Sequence, residues 1–181
     1  MNKNLRVPYG LSVHGVEEIS AVTKVLKSST QMGKNVSIFE KKISKLFDKR
    51  YGLMVNSGSS ALLLAMETLD FPPGSEIITP VLTFSTTVGY IVRNNWVPVF
   101  VDVEEGTYCI NEDKIKNLIT KKTKAVVAPH LMGNIVNWDK VAPILKKKGI
   151  LIIEDSADTL GATYKKKSTG YHADISITSF Y

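Results

Sequence analysis

The fold of this chain is decided by a short apolar run that ends in two carboxylates, Ile150-Leu151-Ile152-Ile153-Glu154-Asp155-Ser156-Ala157-Asp158. Runs of roughly four to eight apolar, mostly β-branched residues are typical of strands buried on both faces, as in a parallel sheet. Ligands of open α/β sheets bind beyond the carboxyl ends of such strands. We therefore predict that Asp155 faces a ligand. The alternative is that Asp155 or Ser156 only caps the following turn.

The rest of the chain alternates between helical and strand periodicity, which indicates an α/β fold with a mostly parallel, doubly wound sheet flanked by helices. Apolar spacing marks one amphipathic helix from Val16 to Leu26 and a second from Val36 to Phe47. Further helices are predicted near residues 60–69, 86–93, 112–119 and 138–148. Strands are predicted near residues 51–55, 76–79, 97–103, 125–129, 150–153 and 175–179. We expect residues 1–181 to form one domain.

Composition excludes several classes of function. No apolar run approaches the roughly 18 residues of a membrane span, and the first residues lack the apolar segment of a signal peptide. We therefore predict a cytoplasmic protein without a membrane partner. The net charge of +6 comes from lysines near predicted helix ends and turns, without interleaved aromatic residues, which argues against nucleic-acid binding. A single cysteine, Cys109, excludes an internal disulfide framework and a Cys-rich metal or iron–sulfur site built from this chain alone, and we predict no metal site among its residues.

A second site signal is a serine- and glycine-rich turn between the predicted strand 51–55 and the next helix, Asn56-Ser57-Gly58-Ser59-Ser60-Ala61. Free N–H groups, the positive end of the helix dipole and small hydroxyl side chains together suit a phosphate. Gly58, Ser59 and Ser60 are therefore candidate phosphate ligands, and a simple serine N-cap is the alternative. Because the P-loop and dinucleotide-binding motifs are absent, we predict a phosphate group and not necessarily a nucleotide.

Two more side chains follow predicted strand ends. Phe84 could stack on a flat ring, although an isolated aromatic is more often part of the core. His130 is a further polar group, for which a structural hydrogen bond is an equally good interpretation. A phosphate cradle, a ring platform and a carboxylate at neighbouring strand ends match the needs of pyridoxal 5′-phosphate (PLP), whose pyridine nitrogen is held protonated by an acid.

With these motifs in this order, the chain resembles the DegT/DnrJ/EryC1/StrS family of sugar aminotransferases and dehydratases. The resemblance runs through nearly all of the sequence and is carried by Met32-Gly33 with Phe39-Glu40, residues 56–61, Thr83-Phe84, residues 98–103, residues 129–134, residues 154–156 with Leu160-Gly161-Ala162, and Ser179-Phe180.

The resemblance implies the large domain of a fold-type-I PLP-dependent transferase, with PLP or pyridoxamine 5′-phosphate (PMP) as cofactor. It also implies a role for each site residue: Gly58, Ser59 and Ser60 in the phosphate turn, Ser179 as another phosphate contact, Phe84 over the pyridine ring, Asp155 as the catalytic acid on the ring nitrogen, and Asp158 near the other polar edge of the ring.

The resemblance further implies a function in nucleotide-sugar and lipopolysaccharide-type biosynthesis. Asp158, the stretch 130–134 and the ending Ser179-Phe180-Tyr181 resemble the 3-dehydratase branch, which acts on a nucleotide-linked 4-keto-6-deoxyhexose. The alternative is a keto-sugar aminotransferase with glutamate as amino donor. Tyr9, Lys34 and Tyr90 are weaker candidates for substrate contact, because each is as plausible as ordinary surface.

Family members are longer and dimeric. We therefore expect this chain to be part of a homodimeric enzyme, truncated before the cofactor-binding lysine, or the histidine that replaces it, and before the small C-terminal domain. Two other functions stay open: an inactive fragment used in binding or assembly, and a phosphate-binding α/β domain without pyridoxal.

Overall fold

A computed structural model describes residues 11–181, and the chain divides into two units with the boundary after Val36. In the first unit, α1 (Val16–Ser28) begins after Gly15, whose N–H donates to the Glu18 carboxylate at 2.6 Å. Glu17 and Glu18 in its first turn complement the helix dipole. The second helix, α2 (Lys34–Leu46), crosses the unit boundary. That residues 1–181 act as one domain stays a prediction.

The second unit is built around a five-stranded parallel sheet in the order β2-β1-β3-β4-β7, which confirms the α/β prediction. Its elements are α3 (Gly58–Glu67), β1 (Glu76–Pro80), α4 (Ser85–Arg93), β2 (Val97–Val101), α5 (Glu112–Leu118), β3 (Thr123–Pro129), α6 (Trp138–Lys147), β4 (Leu151–Asp155), β5 (Thr163–Tyr164), β6 (Lys167–Ser168) and β7 (Ile175–Ile177). Among these described residues, no helix has the length and apolar character needed to cross a bilayer.

Two apolar clusters cover the two faces of the sheet. Successive strand residues point to opposite faces, so Ile152 packs in the cluster with α5 and α6, whereas Ile153 packs with α3 and α4. Both side chains are fully buried, and each such aliphatic side chain contributes about 1.5–3 kcal/mol. Burial on both faces explains why these strands are continuous apolar runs and why their polar residues collect at the strand ends.

The prediction of a strand at residues 51–55 is wrong, because this stretch forms no ladder with any described strand. The Met54 N–H donates instead to the Glu40 carboxylate of α2 at 2.8 Å. An open groove of about 440 Å³ runs between residues 51–58 and residues 176–181. A strand exists only with a hydrogen-bonding partner, and the sequence pattern of 51–55 carries no information about whether one is present. The hairpin β5–β6 is an element that the periodicity did not indicate.

Candidate functional site

The site lies at the carboxyl ends of the parallel strands. Pro129, the last residue of β3, pairs with Asp155, the last residue of β4, and Asp155 pairs in turn with Ile177 of β7. The next residue after β3 is His130, whose backbone N–H donates to the Asp155 carbonyl at 2.9 Å. Register therefore places His130 and Asp155 side by side at one edge of the sheet, as the sequence predicts.

Asp155 has one bound and one open carboxylate oxygen. Its side chain is only 8% exposed, and Oδ1 accepts a hydrogen bond from the Ala157 N–H at 3.0 Å. The turn-capping alternative is therefore correct for Oδ1, whereas Oδ2 accepts no hydrogen bond from residues 11–181. Burial raises the pKa of this carboxyl, the Ala157 N–H opposes the rise, and the negative charge of Asp158 adds to it. Such a group binds a shared proton tightly and suits a cationic ring nitrogen.

The raised pKa has a consequence for stability in the absence of a ligand. Between about pH 4, where an aspartate of the unfolded chain ionises, and the raised pKa, the folded protein binds more protons than the unfolded one, so the Asp155 contribution falls as pH rises. We expect Asp155→Asn to raise the free energy of unfolding at neutral pH, and the gain to vanish below about pH 4. Urea unfolding of both proteins across this range measures the difference. A variant that is less stable at pH 7 would contradict the assignment.

The phosphate-cradle turn begins α3. Ser57 is the N-cap: its Oγ accepts from the Ser60 N–H at 3.0 Å and lies 3.1 Å from the Ser60 hydroxyl. The N–H groups of Gly58 and Ser59 lie in the first turn, where an α-helix offers no carbonyl partner. The two interpretations of this turn are therefore compatible, since Ser57 caps the helix and leaves two donors for an anion. Ser57 was absent from the candidate set, and its helix-capping contact is the one that the N-cap alternative predicts.

Ser179 lies beside this helix end. A Cβ atom added to Gly58 would come within 3.1 Å of the Ser179 Cβ, so the two residues are in contact across the fold. The same segment is tied to the end of β4, because the Thr178 hydroxyl donates to the Ser156 carbonyl at 2.9 Å. The Ser156 N–H donates in turn to the Ile177 carbonyl at 2.8 Å. A continuous set of contacts therefore joins the α3 N-terminus to the residue after Asp155.

Phe84 stands at the start of α4, in the loop that follows β1. Its side chain is 65% exposed, so the interpretation as a core aromatic is wrong. Asp158 is also exposed, and its Oδ2 accepts from the Met132 N–H at 2.9 Å. That contact holds a short turn, residues 131–133, in which Met132 has a left-handed φ of 55°. Both side chains therefore lie in loops at the carboxyl edge of the sheet, accessible to a ligand.

Three weaker candidates have different positions. Tyr9 lies outside the described residues. Lys34 is the first residue of α2, and Tyr90 of α4 packs half-buried against the apolar cluster on the α3 side of the sheet. Packing of this kind accounts for Tyr90 without a substrate.

Ser57 caps α3 and Ser59 does not, so substitution of each serine tests the capping assignment. We expect Ser57→Ala to lower the free energy of unfolding by about 1 kcal/mol, because the Ser60 N–H loses its acceptor. Ser59→Ala, the matched control, stays within about 0.5 kcal/mol of the wild type. Urea denaturation measures both. Equal losses in the two variants would show that Ser57 is not the cap.

Comparison with known proteins places this architecture in one family. The sequence profile of the DegT/DnrJ/EryC1/StrS aminotransferase family matches residues 13–181. The dTDP-4-dehydro-2,6-dideoxy-D-glucose 3-dehydratase of Saccharopolyspora spinosa is 37% identical over 182 residues, which cover 96% of this chain and 39% of that protein. The chain thus spans less than half the length of this curated relative.

Solved structures of related enzymes have the same fold. Escherichia coli GDP-4-keto-6-deoxy-D-mannose 3-dehydratase with bound hydrated PLP superposes with a TM-score of 0.83 at 32% identity, covering 90% of this chain and 43% of that one. A Helicobacter pylori aminotransferase of pseudoaminic acid biosynthesis superposes with a TM-score of 0.88 at 30% identity, covering 96% and 47%. The sheet is therefore that of fold-type-I PLP enzymes, and the chain belongs to the DegT/DnrJ/EryC1/StrS aminotransferase family.

Proposed function

We propose that this chain is the cofactor-binding part of a PLP- or PMP-dependent enzyme that acts on a nucleotide-linked 4-keto-6-deoxy sugar, as a 3-dehydratase. The observation that carries the proposal is Asp155: a buried carboxylate with one open oxygen at the sheet edge, joined by continuous contacts to a helix N-terminus with free N–H donors. The carboxylate suits the cationic ring nitrogen at one end of the cofactor, and the helix N-terminus suits the phosphate at the other end.

The residues present fit PLP or PMP. Gly58 and Ser59 offer N–H groups and Ser179 a hydroxyl to the phosphate. Phe84 offers an exposed ring for stacking, and the open oxygen of Asp155 would accept a hydrogen bond from the protonated pyridine nitrogen. When bound, the cofactor supplies an electron sink for negative charge that develops next to the amino nitrogen. The role of Asp155 is to hold the ring-nitrogen proton, which makes that sink effective.

The sugar substrate and the branch of chemistry are inferred from relatives. A second curated relative, the GDP-4-keto-6-deoxy-D-mannose 3-dehydratase of Yersinia pseudotuberculosis, is 34% identical over 173 residues. A solved 3-dehydratase of this kind was trapped with PLP and glutamate, which supports glutamate as the amino donor. Asp158 also favours the dehydratase branch, because the resemblance implies that aminotransferases of the family more often have His or Gln at this position. A homodimer and a cytoplasmic location stay predictions.

The aminotransferase alternative has its own support. The Helicobacter pylori aminotransferase has the higher TM-score, and a GDP-perosamine synthase of Caulobacter vibrioides is 32% identical over 152 residues. The two activities differ in their product: a dehydratase releases a 3-deoxy sugar, whereas an aminotransferase releases an amino sugar.

The test is cofactor binding followed by product analysis, on this chain and on the product of its full reading frame. PLP is added, the absorption spectrum is recorded between roughly 320 and 430 nm, and borohydride treatment is followed by intact mass. Removable cofactor with a 3-deoxy product from GDP- or dTDP-4-keto-6-deoxyhexose supports the dehydratase. A borohydride-fixed adduct with an amino-sugar product supports the aminotransferase.

Two variants serve as controls for this test. Ser59→Ala removes a side-chain hydroxyl at the α3 N-terminus and keeps the backbone N–H, so it should weaken PLP binding without a change in stability. Asp139→Asn, an exposed substitution on α6, should leave binding unchanged. Binding of PLP without turnover by either protein would favour a role in binding or assembly. Failure of both proteins to bind PLP would overturn the pyridoxal proposal and favour a simple phosphate-binding domain.

A further inference from the structure

A buried polar network lies directly behind Asp155. Glu154 precedes it on β4 and, because strand residues alternate, points to the opposite face of the sheet. Glu154 and His130 are both fully buried, and His130 Nε2 lies 3.3 Å from Glu154 Oε2. The other carboxylate oxygen of Glu154 accepts hydrogen bonds from the Ser156 hydroxyl at 3.2 Å and the Thr169 hydroxyl at 3.3 Å. Both hydroxyl-bearing residues are buried as well.

Hydrogen-bond partners fix the tautomer of the histidine. The Val136 N–H donates to His130 Nδ1 at 2.9 Å, so Nδ1 carries a lone pair and the proton of the neutral ring lies on Nε2. That proton is donated to Glu154. Glu154 is therefore an acceptor from three side chains, which is the arrangement of an ionised carboxylate.

The fold alone does not require a buried carboxylate at position 154. Burying a carboxylate costs several kcal/mol before its hydrogen bonds offset the loss, and an apolar residue of similar volume serves a core strand at least as well. Lys49 is near enough for the charge of Glu154 to oppose the lowering of the lysine pKa by burial, but its ammonium donates to the carbonyls of Gly170 and Ala173 and makes no hydrogen bond to Glu154. An acid at this buried position, next to the candidate catalytic aspartate, therefore indicates a role in the site.

Glu154 and His130 act on Asp155 from two sides. The His130 backbone N–H holds the Asp155 carbonyl, and the His130 ring, through Val136, closes the loop that carries Met132. Glu154 fixes the same ring from below and places a negative charge next in sequence to Asp155. Burial is the largest cause of the raised pKa of Asp155, and the charge of Glu154 adds a small contribution in the same direction.

We propose that Glu154 and His130 form a buried positioning pair, which keeps the open oxygen of Asp155 directed at the ring nitrogen of the cofactor and keeps that nitrogen protonated. The inference rests on the proposed function, because it presupposes a pyridine ring at Asp155. Neither residue touches the cofactor; both act through Asp155 and its backbone.

The experiment measures ring-nitrogen protonation directly. The protein is loaded with PLP labelled with ¹⁵N in the ring, and the ¹⁵N chemical shift is recorded for the wild type, Glu154→Gln, His130→Gln and the matched control Glu105→Gln, whose acid is exposed. We expect both pair variants to move the shift towards the unprotonated nitrogen, and the control to leave it unchanged. Turnover falls roughly tenfold, the size typical of an outer-shell partner, while the KM for the sugar is unchanged.

Other outcomes distinguish a failure of the positioning inference from a failure of the proposed function. Wild-type shift and turnover in a folded Glu154→Gln protein would overturn the inference and leave the proposed function intact. Failure of both pair variants to fold, monitored by circular dichroism, would also overturn it, since the pair would then serve only the fold. Absence of a bound-cofactor signal in the wild type would overturn the proposed function and the inference with it. A double variant no worse than either single variant would support the pair, because coupled residues are not additive.

Discussion

Asp155→Asn is expected to lower the turnover of the cofactor-loaded protein by at least about a hundredfold, the size of losing one preorganised electrostatic partner in a closed site. Asparagine has nearly the same shape, and its oxygen can still accept from the Ala157 N–H. It carries no negative charge, however, so it cannot hold a proton on the ring nitrogen. The defect should therefore appear in kcat and in the cofactor spectrum, while the fold is retained.

The measurement compares kcat and the absorption of bound cofactor in wild type and variant, with Asp139→Asn as the control. Together with the stability expectation for the same substitution, it gives a distinctive pair of results: a protein that is more stable without ligand at neutral pH and nearly inactive with it. Turnover within a factor of about three of the wild type would mean that Asp155 does not face the reacting cofactor.

Gly170→Ala is the substitution with the largest expected effect on stability. Gly170 is buried in the turn before β7, and an added Cβ would overlap the carbonyl oxygen of Phe47 and lie 3.0 Å from its carbonyl carbon. Backbone atoms cannot rotate away as a flexible side chain can. The Lys49 ammonium, which donates to the Gly170 carbonyl at 2.6 Å, holds the two segments together. We expect a loss of about 3 kcal/mol or more in the free energy of unfolding.

Gly89→Ala is the matched control. Gly89 lies within α4, and an added Cβ would meet no atom within 4 Å. Alanine in a helix interior is better than glycine by roughly 0.5–1 kcal/mol, so this variant should be slightly more stable than the wild type. Urea or thermal unfolding of the two variants measures the contrast. If Gly170→Ala unfolds like the wild type, the close approach to Phe47 does not exist in solution.

The central strands could be predicted from sequence because burial on both faces leaves a continuous apolar run, as in β4. Residues 51–55 have a similar composition and are not a strand, since pairing depends on a partner distant in sequence. The hairpin β5–β6 was missed for the opposite reason. Its strands are two residues each, and its turn is formed by Lys165 and Lys166, both with positive φ, where glycine or asparagine is usual.

Some residues of the candidate site could likewise be predicted from the sequence, and others could not. Asp155 and the turn at Gly58 follow strand and helix boundaries, and such boundaries can be located by periodicity. Glu154 could be recognised as an acid at a strand end, but its burial and its partners could not. Thr169 contacts it from a turn 15 residues away, and His130 from the position just after the neighbouring strand β3. Hydrogen-bond networks of this kind are set by tertiary packing, which a local pattern does not contain.

The groove beside residues 51–55 also affects the tendency of this chain to aggregate. β7 is the last strand of the sheet, so its outer row of N–H and C=O groups has no strand partner among residues 11–181. Across the groove, the uncharged segment Tyr51-Gly52-Leu53-Met54-Val55 exposes about three quarters of its Tyr51 and Leu53 side chains. An open edge next to an apolar, proline-free segment is a template for intermolecular β-pairing. We therefore expect concentrated solutions of this chain to form sheet-rich aggregates, and dilution to suppress them.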